Sequence, residues 1–67
     1  MTRDARTMTM MELINCLCTA EMAFGAVIAH DPSCVFTESA DYVAASAEVT
    51  RYYVELTRRA EMLEELA

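Results

Sequence analysis

Glycine and proline each occur once in the 67 residues, tryptophan is absent, and aromatic residues make up 7% of the chain. A chain so poor in turn residues, and so rich in Ala, Met, Leu and Glu, is suited to helix rather than sheet. Paired cysteine is missing too. Cys16, Cys18 and Cys34 are an odd set, which excludes a framework in which every thiol is bridged. Cys16-Leu17-Cys18 is no metal knuckle, because on a helix the two side chains point about 200° apart. Reduced cytoplasmic thiols are the expected state. There is no glycine-rich phosphate loop, no paired-cysteine zinc pattern and no Gly-x-Ser-x-Gly. His30, Asp31 and Cys34 lie close in sequence, but nothing supplies a fourth ligand or an oxyanion site. No metal, cofactor or catalysis is therefore expected. Basic charge is also short. Five Lys and Arg stand against eleven Asp and Glu, a net charge of -6. Nucleic acid and anionic membrane are poor partners for such a chain, and a basic protein surface is a better one.

Long apolar runs are missing as well. Spanning a bilayer takes about 20 apolar residues, and the longest clean run here is Met22 to Ala29. Arg3 and Arg6 precede a mainly apolar stretch with small residues near Val27-Ile28-Ala29, which has the outline of a secretion leader. Glu12, Asn15 and Glu21 interrupt that stretch, and Asp4 lies between the two arginines. We therefore expect neither a membrane span nor a leader, and a cytoplasmic location.

What is present is helical patterning over one domain, residues 1–67. Thr9-Met10-Met11-Glu12 has the form of a capping box, with Thr at the N-cap and Glu three residues on. It predicts a first helix over about 10–30, ended at Asp31-Pro32 because the residue before proline is pushed out of the α region. A loop is expected over about 31–37, with a second helix over about 38–66. Thr37 or Ser39 would cap that helix, and Asp31-Pro32 offers an earlier start or a short helical turn. At about 100° per residue, Leu13, Leu17, Ala20, Phe24, Val27 and Ile28 share one face of the first helix. Tyr42, Ala45, Val49, Tyr52, Leu56, Ala60 and Leu63 share one face of the second. A short connection makes the two antiparallel neighbours, an all-α helical hairpin. Near the loop Ala20, Ala23, Ala26 and Ala29 would meet Ala40, Ala44, Ala45 and Ala47, and farther out large residues would meet large ones. Glu48, Arg51, Glu55, Arg58 and Arg59 would form the solvated face of the second helix.

Two features exceed what one hairpin can bury. Met11, Ile14, Cys18, Met22, Gly25 and Ala29 form a second apolar face on the first helix, away from the seam. Gly25 costs about 1 kcal/mol relative to Ala within a helix, and with Ala29 it would admit another backbone. Ordering a residue costs roughly 1.5 kcal/mol, and a chain this small needs a staple or a partner. With disulfide and metal set aside, this face is the expected homodimer seam of a four-helix arrangement. The second feature is an overhang. The second helix outruns the first by roughly eight residues, about 12 Å. Met62, Leu63 and Leu66 lack an opposing helix there unless residues 1–9 extend the first helix backward. Glu61, Glu64 and Glu65 lie beside them, where the helix dipole would prefer cations. That pairing of acidic and apolar side chains is expected to bind a basic, grooved partner. Six methionines suit an adaptable surface.

In size, acidity and lack of a catalytic motif the chain resembles the small helical accessory proteins of temperate phages. Some of these block quorum-sensing regulators, pilus-assembly ATPases or CRISPR complexes. The resemblance covers overall architecture and gives no role to single residues. It implies a non-enzymatic module that binds and inhibits a larger bacterial protein. Two alternatives stand beside it. One is a co-chaperone of type III secretion needle subunits, which holds an amphipathic helix in an apolar groove. The other is a small thiol or metal sensor that uses the cysteines.

Overall fold

A computed structural model of the chain describes residues 4–66. Among these the protein is all-helical, without strands. A 3-10 turn, Ala5–Thr7, precedes three α-helices: α1 (Met10–His30), α2 (Cys34–Thr37) and α3 (Ala40–Leu66).

The capping box sets the start of α1. Thr9 Oγ1 accepts from the Glu12 N–H at 3.1 Å, and Glu12 Oε1 accepts from the Thr9 N–H at 3.0 Å. The helix stops at Asp31, which is extended (φ -146°, ψ 91°) as a residue before proline should be. The Asp31 carboxylate then accepts from the Ser33 N–H at 3.1 Å and from its hydroxyl at 2.6 Å. This local turn launches α2 within the segment expected to be loop. Thr37 does not cap the last helix. It closes α2, and its hydroxyl donates to the Ser33 carbonyl at 3.3 Å. Glu38 takes a left-handed conformation (φ 50°, ψ 52°) and turns the chain, and Ser39 becomes the cap of α3. Its Oγ accepts from the Tyr42 N–H at 3.3 Å, and its carbonyl accepts from the Val43 N–H at 2.9 Å. The last helix therefore starts at Ala40 rather than near residue 38.

Contacts run in opposite order along α1 and α3. Arg59 reaches Met8 just before α1, Tyr53 meets Glu21, and the rings of Phe24 and Tyr42 lie 5.4 Å apart. Leu13 is 0% exposed and centres a cluster with Ala5, Met8, Ala20 and Tyr52. Cys16, Leu17, Val49 and Leu56 are half-buried against it. Phe24, Val27 and Ile28 are half-buried farther along α1.

Four expectations need correcting. The seam of α3 does not extend to Ala60, which is exposed, because α1 starts near Arg59; Leu63, already assigned to the overhang, is exposed too. Helix α3 is longer than α1 by six residues, 27 against 21, rather than by roughly eight. Of the eight alanines expected to line the loop end, Ala20 is buried and Ala45 half-buried, while the other six are exposed. Finally, Glu55 is not part of a solvated face. It is 4% exposed, and Arg51, Arg58 and Arg59 are half-buried around it, because the 3-10 turn lies over this side of α3.

Candidate interaction surfaces

An ionic clamp fastens the N-terminal segment to α3. The 3-10 turn forms because Asp4 caps it, its carboxylate accepting from the Arg6 N–H at 3.0 Å. Arg59 Nη2 donates to the Met8 carbonyl at 2.6 Å and to the Ala5 carbonyl at 3.3 Å. The Ala5 carbonyl already accepts from the Met8 N–H at 3.2 Å, and the guanidinium adds a second donor there and a donor to the Met8 carbonyl. Glu55 holds Arg59 in place. Its Oε1 accepts from Arg59 Nε at 2.9 Å and from Arg58 Nη2 at 2.6 Å, while its Oε2 accepts from Arg58 Nε at 2.9 Å. These bonds, Arg58's first, hold the Glu55 carboxyl down at about 2 against the opposing effect of burial. Upstream on α3, Arg51 lies 4.7 Å over the Tyr52 ring. The Tyr52 hydroxyl accepts from Arg51 at 2.6 Å and donates to Glu48 at 3.2 Å. Burial pushes the Tyr52 phenol up.

The outer face of α1 is uncovered. Met11 is 68% and Met22 76% exposed, and Ile14, Cys18, Gly25 and Ala29 are exposed with them. A Cβ placed on Gly25 would meet nothing within 4 Å, so no contact inside the chain requires glycine there. None of these six side chains is charged. The carboxylate bordering them, Glu21, is turned toward α3 and accepts from the Tyr53 hydroxyl at 2.5 Å. That bond pushes the Tyr53 phenol up. Sequence reasoning missed Tyr53 and its bond to Glu21, since residues 32 apart on different helices carry no periodic signal.

At the far end of α3, Met62 and Leu63 are exposed, with Glu61, Glu64 and Glu65 exposed around them. The side chain of Leu66 lies outside the described residues. Met10, Arg6, Arg58 and Arg59 share a shallow cleft with Met62 and Leu63, and Arg58 lies 3.0 Å from the Met62 sulfur. A second apolar cleft runs between α1 and α3 on the side of Tyr52, floored by Ala20, Ala23 and Ala45. Phe36, on α2, is 89% exposed, and the sequence patterning gave it no role.

The loop cluster does not form a metal site. Among the described residues no group of three His, Cys, Asp or Glu could hold an ion. Cys34 is buried with its thiol 3.9 Å from the Val27 carbonyl, while His30 and Asp31 are exposed. All three thiols are free. Helix α1 is long and apolar enough to cross a membrane by length and composition, with a window of mean hydropathy 1.5. No family model, curated protein or solved structure matches the chain.

Proposed function

We propose that the chain is an acidic interaction module: a hairpin of its two long helices that pairs with a second copy and binds and inhibits a larger bacterial protein. The observation that carries this is the uncovered α1 face, Met11, Ile14, Cys18, Met22, Gly25 and Ala29, opposite a helix side already packed on α3. A compact monomer of 7.5 kDa exposes roughly 4,200 Å² by the usual surface scaling. This chain exposes 5014 Å². The surplus of about 800 Å² is spread over an elongated molecule of 44 × 23 × 17 Å, and the uncovered α1 face is part of it. Six uncharged side chains suit a second copy, because two acidic chains can meet there without opposing their charges.

The end of α3 supports the second role. Glu61, Glu64 and Glu65 around exposed Met62 and Leu63 offer an acidic, apolar surface to a basic groove. The basic DNA-binding surface of a regulator would suit this acidic end, which fits the likeness to phage accessory proteins and a cytoplasmic setting. The apolar surplus of α1 is read as facing protein rather than lipid, because Glu12, Asn15 and Glu21 lie within the same helix.

Sedimentation tests the first role: a dimer is expected at micromolar concentration, and Met22→Asp should give a monomer of unchanged helicity. A monomeric parent chain would sink the pairing. Affinity purification from a bacterial lysate tests the second. A regulator or ATPase, retained by the parent and lost on Glu61, Glu64 and Glu65→Gln, supports it. A secretion needle subunit instead would favour the co-chaperone reading. Cosedimentation with lipid vesicles in place of any protein would overturn both.

A further inference from the structure

The outer face of α1 is divided along its length. Its N-terminal half carries bulk (Met11, Ile14), its C-terminal half carries almost none (Gly25, Ala29), and Cys18 and Met22 lie between. We infer that two copies pair through this face with their α1 helices antiparallel, centred near residue 20, so that the bulky half of each lies on the small half of the other. The inference rests on the pairing proposed above and specifies its geometry.

Three observations point the same way. In the antiparallel register facing positions sum to about 40, so Met11 meets Ala29, Ile14 meets Gly25, and Cys18 meets Met22 of the second copy. Large side chains then fill the space that small ones leave, which is the condition for close packing. A parallel pair would set Gly25 against Gly25 and Met11 against Met11, leaving a void at one end and crowding at the other. Next, Gly25 has nothing within 4 Å of where its Cβ would stand, so its helix penalty has no internal return. Ile14 of a second copy supplies one. Last, in this register the two Glu21 side chains fall on the same border of the seam, near its centre. Each is drawn away from it by the bond to the Tyr53 hydroxyl on α3.

Cysteine crosslinking separates the geometries. Antiparallel copies place the two Cys18 four positions off register, about 6 Å along the axis. Cα atoms lie about 2.3 Å from their own axis, so with helices about 8–10 Å apart facing Cα atoms come within about 3.5–5.5 Å, inside disulfide reach, whereas the two Cys18 Cα atoms are about 7–8 Å apart, past its usual range. Cys18 and position 22 of the other copy lie opposite. In chains carrying Cys16→Ser, with buried Cys34 retained, one chain keeps Cys18. A second, lengthened by a tag, carries Cys18→Ser and Met22→Cys. Mild oxidation of the mixture should yield mainly the covalent heterodimer, with little of either homodimer. Protease cleavage after Glu21 separates the two cysteine sites, so the linked peptide identifies the bond. A Cys18–Cys18 product of equal yield would overturn the antiparallel register. A mixture that sediments as dimer yet forms no crosslink would place the pairing on another surface. A mixture that sediments as monomer would remove the pairing itself. Gly25→Leu, which fills the space assigned to Ile14, should weaken association at least tenfold, the equivalent of about 1.4 kcal/mol. An unchanged dissociation constant would overturn the Ile14–Gly25 contact.

Discussion

At the end of the molecule where the 3-10 turn lies on α3, Leu13, Tyr52 and Glu55 are almost fully enclosed. At the other end, where α2 links the long helices, Phe24, Val27, Ile28 and Tyr42 stay half-exposed, and Cys34 alone is buried. Both ends present apolar side chains of similar size at helical spacing. The difference is the number of layers. Two helices enclose only the line along which they touch, and full enclosure needs a third element over the groove. Residues 5–8 supply it at one end, while α2 supplies only the thiol of Cys34 at the other, leaving Phe36 in solvent. Stability should therefore be concentrated at the clamped end.

The largest effect should come from Leu13→Ala, which opens a cavity where three elements meet. Such truncations cost about 2–5 kcal/mol, enough to unfold most of a chain this small. Ile28→Ala, at the half-exposed end, should cost well under half as much. Urea unfolding followed by circular dichroism compares them, and equal losses would show that the two ends are not differently packed. Next comes Arg59→Ala. It removes the donors to the Ala5 and Met8 carbonyls and leaves Glu55 with one arginine. Hydrogen bonds from a charged donor are worth about 1.5–3 kcal/mol. The loss should appear as faster amide exchange at Leu13, with exchange in α2 unchanged. Arg59→Lys should not restore the parent, because an ammonium cannot serve two carbonyls and a carboxylate in the guanidinium's planar geometry.

Acid should attack the same end. The Glu55 carboxyl titrates near 4.5 when free and at about 2 in the fold. A folded value below the unfolded one means that the carboxylate's contribution is complete above pH 4.5 and drains as pH falls from there toward 2. Urea midpoints measured from pH 6 to pH 2.5 should drop, and Glu55→Gln should flatten that part of the profile. A parent profile as flat as the variant's would show that the carboxylate does not hold the clamp.

The legible part of this architecture is what one helix dictates by itself. The Thr9–Glu12 capping box, the stop at Asp31-Pro32 and the inward face of α1 are local or periodic, so sequence carries them. The clamp is neither. Glu55 and Arg59 stand at i, i+4 and read equally well as a solvated pair. Only the return of residues 5–8, some 50 positions away, makes them buried. Ala60 kept the seam's period but had no helix opposite, which periodicity alone does not reveal. The uncovered α1 face was legible because it is a surplus over what one neighbour can cover.

Gly25→Ala sharpens the contrast between the inner and outer sides of α1. A methyl group there meets nothing in the chain, so at low concentration it should stabilise the fold by about 1 kcal/mol through helix propensity alone. At concentrations where copies pair, part of that gain should vanish, because the methyl takes space assigned to the second copy. Thermal unfolding at two concentrations reads the difference directly.

The smallest effect belongs to Glu38, the one described residue other than glycine at positive φ. A left-handed conformation costs an L-residue about 1–2 kcal/mol, and glycine adopts it freely but loses about 0.5–1 kcal/mol more entropy on folding. Glu38→Gly should therefore stabilise the chain by a few tenths of a kcal/mol to about 1. The gain tests where unfolding begins. If the turn end opens first and the clamped end persists, the substitution should slow amide exchange in α2 and the first turns of α3 while leaving Leu13 unchanged. If the chain unfolds as one unit, exchange at Leu13 should slow by the same factor. The clamp would then be a denser part of a single cooperative structure rather than a separately stable end.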